Sequence, residues 1–484
     1  MKNKLKITEE HWKRLSKGLR ADKQEQMGGA YLGFYRTDET NVYTVLDSWI
    51  HDPSDYSFQN IGGVGIHADA NARVFGKAIK LQAAGILDAH SHPGKAFISH
   101  TDDHGHQNEG GTLERLRKTR LALNLGILIR MVVGASPNNI YADVALPEKG
   151  FEPIHLIEVH KSSGRIDIVP VNSPFEEYVP ETEFLERHSR TLEFIESYKA
   201  QKLEDLEITV LGTGGTGSAF INLAKFHCRK LNLCDADRLE KSNCNRFFGA
   251  VNEDVGDLKV NAIRRDLLRF RPNMEIRAIP RFFPENETLE VAKNSDLIVV
   301  SPDNDWTRYH AFEFGLRYGI PIIELGSGVS LHNGKLERMQ AQVRLQIPGA
   351  PCGLCLGLPD DNLEDPWLAD YKHRVGYVED KNTGHAQSPA SVATLNMAVA
   401  NMGMVLARRY FCHELGMERG LPHYLVWDEI SLRVFDLTSQ FPHRKSCPLC
   451  GENRISSSYW MRGDTLPTWM ELMDPPGECL QQAV

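Results

Sequence analysis

The sequence predicts an α/β protein in which a doubly wound, Rossmann-like parallel sheet follows a smaller α+β unit. The main observation is a strand–glycine loop–helix–strand–acid unit over residues 206–237. Further apolar strands are predicted over residues 276–279 and 297–300, and they continue the same series. We expect two domains, residues 1–170 and residues 171–484.

The composition is typical of a soluble globular protein, with 41% hydrophobic residues and a formal net charge of −9. That charge argues against general binding of nucleic acid or of an anionic membrane. We find neither a secretory signal peptide nor an apolar run long enough to span a bilayer. Nine cysteines, four of them in two Cys-x-x-Cys pairs, favour a reducing cytoplasm and a metal site over disulfides.

The first unit opens with MKNKLKITEEHWKRL, which has the pattern of a charged amphipathic helix, and a helix is predicted from Glu9 to Arg20. Strands are predicted over residues 27–34 and 41–49, and a helix over residues 70–84. A buried strand is predicted over residues 84–89, and it leads directly into His-Ser-His-Pro.

His90 and His92 follow that strand, and alternation along a strand directs both imidazoles to the same side. With one carboxylate they would form a three-ligand zinc site with an open position for water. The pattern His-x-His-Pro-x5-Ser-x-x-Asp resembles the JAMM (MPN-type) metalloproteases, which cleave ubiquitin-like proteins from their conjugates. The resemblance implies His90, His92 and Asp102 as ligands and Ser99 as an oxyanion contact, with Asp103 as a competing third ligand.

The same resemblance calls for a glutamate on the first strand to activate the water. Aligning Gly28 and Gly29 with the glycines of the family puts Gln26 in that position, and Gln26 cannot accept a proton. Because adjacent strand residues face opposite ways, only one of Glu25 and Gln26 can reach the metal. Glu25 takes the position if a bulge lies at the two glycines. We predict Glu25 as the base; the Gln26 register would instead make this domain a docking module.

The stretch LEITVLGTGGTGSAFINLAKFHCRKLNLCDADRLEKSNCNR, residues 206–246, organises the second unit. Its glycine loop lets backbone N–H groups approach a phosphate chain at the positive end of a helix. Asp235 and Asp237 close the second strand, where a carboxylate can hold ribose hydroxyls. The candidate loop glycines are Gly212, Gly214, Gly215 and Gly217.

Polar residues after the acid favour adenylyl transfer over hydride transfer. Arg246 and Lys259 supply cations for phosphates, and Asp303 supplies a strand-end carboxylate for Mg²⁺. Together with Asn243, these motifs resemble the adenylating enzymes of the ThiF/MoeB and ubiquitin-activating superfamily over residues 187–450. The resemblance implies ATP as cosubstrate, Asp237 at the ribose, Arg246 and Lys259 at the phosphates, and Asp303 at magnesium.

Residues 186–192, ERHSRTL, resemble the arginine-bearing segment that precedes the first strand in that superfamily. One such arginine reaches the nucleotide of the partner subunit there. The resemblance therefore implies a homodimer, with Arg190 as our first choice for this role and Arg187 as the second; a solvated helix face is the alternative.

Two Cys-x-x-Cys pairs, Cys352/Cys355 and Cys447/Cys450, lie far apart in the chain. Four thiolates in two such turns bind structural Zn²⁺ tetrahedrally, and the activating family shows this long spacing. A redox pair is the alternative. The zinc would tie the C-terminal segment to the core.

Many relatives carry an acyl-accepting cysteine in the crossover region, but residues 356–387 contain none. No other cysteine stands out as the acceptor, so the enzyme is expected to stop at the adenylate and pass the acyl group to a partner's thiol. The remaining cysteines are Cys228, Cys234, Cys244, Cys412 and Cys479.

These resemblances imply a fusion that adenylates the C-terminal carboxylate of a ubiquitin-like protein, with a JAMM-like domain that matures the precursor or reverses conjugation. A conjugating enzyme or a sulfurtransferase is the expected downstream partner. By analogy, such prokaryotic fusions belong to ubiquitin-like conjugation operons, some tied to antiviral defence. Two alternatives remain open: activation of a sulfur carrier for cofactor or cysteine synthesis, and a non-catalytic scaffold.

Overall fold

The computed structural model describes most of the chain. The described residues are 2–19, 26–60, 63–91, 125–134, 140–146, 150–171, 182–193, 195, 200, 203–332, 335–358, 378–379, 386–387, 391–412, 420–447 and 449–451.

The first unit contains eleven described strands and two helices. The helices are α1 (Glu9–Gly18) and α2 (Ala68–Lys80). The strands are β1 (Lys2–Thr8), β2 (Met27–Arg36), β3 (Thr40–Ile50), β4 (Tyr56–Asn60), β5 (Gly63–Ile66), β6 (Gly85–Ser91), β7 (Ile127–Val133), β8 (Ile140–Leu146), β9 (Gly150–Pro153), β10 (Leu156–His160) and β11 (Ile166–Pro170). Nine of them form one sheet in the order β11-β10-β1-β3-β2-β6-β7-β8-β9, and β4 pairs with β5 separately.

The helix predicted from Glu9 is confirmed as α1, but the helical pattern of the opening stretch is wrong over Lys2–Thr8, which is strand β1. Leu5 and Ile7 are completely buried, and this spacing of two residues fits a strand. Strand β1 pairs in parallel with both β3 and β10. Long-range pairing therefore overrides the helical reading of a short, lysine-rich stretch.

The bulge at Gly28–Gly29, given above as the condition for the Glu25 register, is absent from the β2–β6 pairing. The β2–β6 pairing is regular from Met27 opposite His90 to Leu32 opposite Gly85. The irregular step of β2 lies instead against β3, between Tyr31 and Leu32. A side chain at Gly29 would collide with the Leu87 carbonyl and the Trp49 ring, so close packing accounts for this glycine.

The second unit is a doubly wound α/β sheet, as predicted. The strands are β12 (Glu207–Leu211), β13 (Lys230–Cys234), β14 (Glu275–Ile279), β15 (Leu297–Val300), β16 (Ile322–His332), β17 (Lys335–Gln346), β18 (Val378–Glu379), β19 (Ala386–Gln387), β20 (Tyr424–Asp428) and β21 (Arg433–Asp436). The helices are α3 (Thr182–Arg187), α4 (Gly215–Ala224), α5 (Lys259–Phe270), α6 (Asn286–Asn294), α7 (Asp305–Tyr318) and α8 (Ala393–Cys412).

The main sheet of this unit has the order β14-β13-β12-β15-β16-β17-β20-β21. The strands from β14 to β16 run parallel, and β17, β20 and β21 add an antiparallel extension. The chain winds outward in one direction from β12 to β14 and in the other from β15 onward. The carboxyl ends of β12 and β15 thus form the crevice in which open α/β sheets bind ligands.

The two sheets pack against each other through a shared apolar core. One buried cluster contains Tyr31 and Ile86 from the first unit together with Phe312 and Tyr318 from the second. The Tyr35 ring meets the Tyr318 ring edge-on, at 5.1 Å between centroids. Within the described residues, no helix combines the length and the apolar character needed to cross a bilayer.

Candidate functional site

The glycine loop lies at the carboxyl end of β12, where the sequence predicts phosphate binding. Gly212 has a φ of +82°, which favours glycine, and Gly214 precedes α4. A side chain at Gly217 would collide with the Gly212 carbonyl, because the first turn of α4 approaches the loop closely. Glycines at 214, 215 and 217 therefore leave backbone N–H groups at the amino end of α4 where an anion can bind.

Asp235 and Asp237 have different surroundings, although the sequence treats them alike. The Asp235 carboxylate is buried and accepts hydrogen bonds from Thr213 N at 2.7 Å and from Asp237 N at 2.9 Å. Burial raises the pKa of Asp235. The Asp237 side chain is about half exposed, at 54%. Asp235 thus holds the loop in shape, and Asp237 is the carboxylate that is open to a ligand.

Lys259, the first residue of α5, lies beside Asp237, with 2.7 Å between Nζ and a carboxylate oxygen. Burial opposes its charge, but the neighbouring carboxylates of Asp235, Asp237 and Asp303 raise the pKa of Lys259 overall. The lysine is therefore cationic at neutral pH. The structure brings together three of the residues predicted for the nucleotide: Asp237, Lys259 and Asp303.

Asp303 lies just beyond β15, and its side chain is exposed at the crevice. Ser301 N donates to Leu211 O at 2.8 Å, so the loop that carries Asp303 is attached to the end of β12. Asn304 caps α7 by accepting a hydrogen bond from Thr307 N at 2.7 Å. The Ser301 hydroxyl also contacts the hydroxyl of Thr216 in the first turn of α4. The glycine loop and the Asp303 loop are thus connected directly.

Asn243 and Arg246 make their described contacts within their own loop. The Asn243 amide oxygen accepts from Glu240 N at 3.0 Å and so caps a short turn. Arg246 donates from Nη1 to Ser242 O at 2.6 Å and to Asn245 Oδ1 at 3.1 Å. Neither contact reaches Lys259 or Asp237, so the predicted roles of both residues at the nucleotide stay predictions.

The two candidate arginines before β12 differ in exposure. Arg190 is 93% exposed and forms an ion pair with Glu193 at 3.5 Å. Arg187 instead contacts the buried Glu204 at 3.2 Å, and His188 contacts the same carboxylate at 2.9 Å. These contacts anchor the segment to the core and leave the Arg190 side chain in solvent.

The four cysteines of the Cys-x-x-Cys pairs converge, as predicted. Their sulfur atoms lie within 4.8 Å of one another, and all four residues are buried. The Cys352–Cys447 and Cys355–Cys450 sulfurs are 3.5 and 3.6 Å apart. Sulfurs about 2.3 Å from one tetrahedral ion would be separated by about 3.8 Å, so the cluster fits a zinc ion.

Contacts around the four sulfurs support metal binding. Arg444 N donates to the Cys355 sulfur at 3.4 Å, and the Arg444 guanidinium donates to Leu354 O at 2.8 Å. This cluster is the one set of metal-binding side chains found within the described ranges.

The predicted metal centre of the first unit lies partly outside the described residues, which exclude Glu25, His92, Ser99, Asp102 and Asp103. His90 lies in β6 opposite Met27. Gln26 pairs with the next residue: its N–H donates to Ser91 Oγ at 2.9 Å, and its carbonyl accepts from Ser91 N at 3.0 Å. Since opposite residues of an antiparallel pair share a face, Gln26 and His90 lie on opposite faces of the sheet.

Sequence reasoning missed a cluster behind the Asp303 loop: Arg308, Glu324 and Arg344. Arg308 lies one helical turn beyond Asn304, and this spacing was the one sequence feature that could have indicated a side chain directed back at the Asp303 loop. Its partners are on two later strands, so their convergence could not be read from the sequence.

A model of the ThiF family matches residues 185–449. The SAMP-activating enzyme E1 of Haloferax volcanii is 23% identical over 257 residues, 53% of this chain and 84% of that protein. The sulfur carrier protein adenylyltransferase of Thermus thermophilus is 23% identical over 287 residues, 58% of this chain and 90% of that protein.

The tRNA threonylcarbamoyladenosine dehydratase 2 of Saccharomyces cerevisiae is 33% identical over 136 residues, which are 27% of this chain and only 30% of that protein. Among solved structures, E. coli MccB with ATP aligns with 56% of this chain and 76% of its own, at 20% identity and a TM-score of 0.43. Because the family match covers more than half of the residues, the chain belongs to the ThiF family.

Proposed function

We propose that this chain is an adenylyltransferase that uses MgATP to activate the C-terminal carboxylate of a ubiquitin-like protein or sulfur carrier. The observation that carries the proposal is the grouping of the glycine loop, the Asp237–Lys259 pair and Asp303 at one edge of the sheet. Two relatives, named as an E1 and as an adenylyltransferase, match most of their own length and support the same chemistry.

In this proposal a carboxylate oxygen of the carrier attacks the α-phosphorus of ATP, pyrophosphate leaves, and an acyl-adenylate forms. The N–H groups of the glycine loop and the charge of Lys259 would stabilise the phosphates as charge shifts to pyrophosphate. Asp237 would hold the ribose. Asp303 fits a magnesium ion because its carboxylate is exposed at the strand end, and the ion would neutralise phosphate charge there.

Arg190 would complete the site of a second copy of the chain. Its exposure and the anchoring of the preceding Arg187 and His188 to Glu204 support a side chain directed away from its own core. Arg187 is the weaker candidate, because its guanidinium is already paired with Glu204. The active form would then be a homodimer, with Arg246 of each chain as a further phosphate contact.

Zinc would occupy the four-cysteine cluster as a structural ion. All four ligands are protein sulfurs, which leaves no open position for water. The ion would tie the Cys447–Cys450 turn to the Cys352–Cys355 turn.

The first unit would carry a second, JAMM-like zinc site that matures the carrier or releases it from conjugates. His90, His92 and Asp102 would be its ligands, and Ser99 would contact the oxyanion. The pairing of Gln26 with Ser91 speaks against Gln26 as the catalytic base, since that pairing turns its side chain away from the face of His90. The β2–β6 pairing has no bulge at Gly28–Gly29, so Glu25 is proposed on strand alternation instead: Gln26 faces away from His90, and its neighbour Glu25, outside the described residues, is the base we propose.

The acceptor of the acyl group would be the thiol of a conjugating enzyme or a sulfurtransferase. Burial raises the pKa of Cys228 and of Cys234, so neither is an accessible thiolate. Cys244 is exposed beside a cavity of about 260 Å³ and is the best-placed internal candidate among the described cysteines. The eight described cysteines form no disulfide, which fits a cytoplasmic protein.

Conjugation, with its analogy to antiviral operons, is our first choice of pathway, and sulfur-carrier activation is the second, favoured by the Thermus thermophilus relative. A thiocarboxylate product would identify the second pathway.

We do not extend the tRNA substrate of the yeast relative to this chain, because that match covers less than a third of that protein, and the net charge here is −9.

The test is pyrophosphate exchange with the co-encoded ubiquitin-like protein, MgATP and labelled pyrophosphate. We expect label to enter ATP only when the carrier retains its C-terminal carboxylate; a C-terminally amidated carrier is the control. Exchange without the carboxylate would contradict activation of the carrier's C-terminus, whereas no exchange with any co-encoded carrier would favour a non-catalytic scaffold.

A further inference from the structure

A cluster of two arginines and one glutamate lies behind the Asp303 loop; Glu324 and Arg344 are buried, and the Arg308 side chain is 12% exposed. Glu324, on β16, is completely buried and accepts hydrogen bonds from Arg308 Nη1 and, at 2.9 Å, from Arg344 Nη1. Burial lowers the pKa of Arg308 to about 10, so this guanidinium is still charged at neutral pH. Buried charges of this kind are tolerated only when their hydrogen bonds are satisfied.

The remaining donors of Arg308 are directed at the backbone that precedes Asp303. Its Nε and Nη2 donate to the Pro302 carbonyl at 3.1 and 2.8 Å. A planar guanidinium can hold one carbonyl through two N–H groups and a carboxylate through a third. Gly326 makes room for this geometry, since a Cβ there would lie 3.2 Å from Arg308 Nη1.

The other arginine connects the cluster to the four-cysteine site. Arg344 Nε donates to Leu356 O at 2.9 Å, and Leu356 directly follows Cys355. A continuous series of hydrogen bonds therefore runs from the Cys352–Cys355 turn through Arg344, Glu324 and Arg308 to the Pro302 carbonyl.

Resting on the proposed adenylyl transfer, we propose that Arg308 is a positioning residue: it fixes the Pro302 carbonyl so that the Asp303 carboxylate stands where the metal of MgATP must bind. Glu324 holds the guanidinium in the required orientation. Ser301, bonded to the end of β12, and Asn304, which caps α7, fix the loop on either side. The Pro302 carbonyl is the point between them that Arg308 controls.

The proposal is tested by a double-mutant cycle on binding of Mn²⁺·ATP, followed by water-proton relaxation without any carrier protein. Arg308→Lys keeps the charge but cannot hold the carbonyl through two N–H groups while contacting Glu324. We expect it to weaken Mn²⁺ binding in the presence of ATP about 10-fold, the size expected for charged hydrogen bonds. In the Asp303→Ala background, Arg308→Lys should have no further effect, because it acts only through Asp303.

A matched control is Arg130→Lys in the first sheet, where Arg130 forms a buried bidentate pair with Asp143 at 2.8 and 2.6 Å. It should lower the thermal midpoint but leave Mn²⁺·ATP binding unchanged. If Arg308→Lys does not fold, Glu324→Gln takes its place, with an expected loss of about threefold that also disappears in Asp303→Ala.

Wild-type binding by Arg308→Lys, or an equal loss with and without Asp303, would overturn the proposal. Because the binding assay needs no carrier, failure of pyrophosphate exchange alongside a non-additive binding cycle would overturn only the proposed function.

Discussion

The two sheets each present a polar side chain at the end of a buried strand, but they fix it in different ways. In the first sheet, strand alternation determines which face each side chain occupies: His90 shares a face with Met27, and Gln26 lies on the other face with Ser91. In the second sheet, Asp303 stands beyond the last paired residue of β15, where alternation no longer applies. Its loop is fixed by the Arg308 guanidinium and by the cap of α7.

This difference has a consequence for mutation. A side chain fixed by alternation depends on the register of its strand, so the wrong neighbour is excluded by geometry alone. A side chain fixed by a loop depends on distant groups, and here these groups are charges from α7, β16 and β17. Because different groups fix the two sites, a mutation at one should leave the activity of the other unchanged.

The largest effect is expected at the first site. Glu25→Gln should reduce cleavage of a ubiquitin-like fusion by about 10²–10⁴-fold, the usual contribution of a general base, while zinc stays bound. Cleavage is followed by electrophoresis and zinc by elemental analysis. Pyrophosphate exchange should be unchanged in this variant. Normal cleavage by Glu25→Gln would disprove our assignment of the base, and loss of cleavage in Gln26→Ala alone would point to the other register.

At the second site, Asp303→Ala should lower pyrophosphate exchange by at least about 10²-fold, as expected when one preorganised electrostatic group is lost. The rate is measured at saturating MgATP, and Asp305→Ala, two residues further along the chain, is the control. Fusion cleavage should remain normal. Full exchange by Asp303→Ala would overturn the assignment, and a parallel loss of cleavage would show that the two sites are not independent.

The four-cysteine cluster should behave as a structural element of the second unit. Cys447→Ser should lower the free energy of unfolding by at least about 3 kcal/mol, because loss of a metal site is among the few changes with such large effects. His92→Ala, at the open site of the first unit, should leave the unfolding midpoint nearly unchanged. Both are measured by thermal denaturation with zinc analysis, and well-folded wild-type protein without zinc would rule out both sites.

The sequence predicted those parts of the fold and site that depend on local spacing. The glycine loop, the acid after β13 and the lysine at the start of α5 lie in one stretch, and the structure brings their side chains together. The paired cysteines were also predicted, because a Cys-x-x-Cys turn is itself local and the four sulfurs can meet at one ion.

Contacts between distant segments could not be predicted from spacing. Strand β1 was missed because it pairs with β10, more than a hundred residues away. The distinct surroundings of Asp235 and Asp237 were missed because they depend on Thr213, whose backbone N–H and hydroxyl donate hydrogen bonds to the Asp235 carboxylate. Arg308 was missed for the same reason, since Glu324 reaches it from a neighbouring strand.

A smaller effect is expected from the exposed carboxylate of the nucleotide loop. Asp237→Ala should raise the KM for MgATP about 10-fold with little change in kcat, because ribose contacts are similar in the ground and transition states. Initial rates of exchange at varied MgATP give both constants. A loss confined to kcat would mean that Asp237 acts in the transition state, through its pair with Lys259.

The smallest effect, partial recovery of activity, tests whether the second site is completed by another copy of the chain. Arg190→Ala alone should impair exchange, because the 93% exposed guanidinium would supply charge to the nucleotide of a partner subunit. When the Arg190→Ala and Asp303→Ala chains are mixed, each heterodimer keeps one site with both residues intact. Random pairing makes about half of the dimers mixed, each with one intact site of two, so about a quarter of the wild-type rate should return. Arg187→Ala mixed in the same way is the control, since that arginine is bound to Glu204 of its own chain. No recovery on mixing would place Arg190 in the site of its own chain or outside any site.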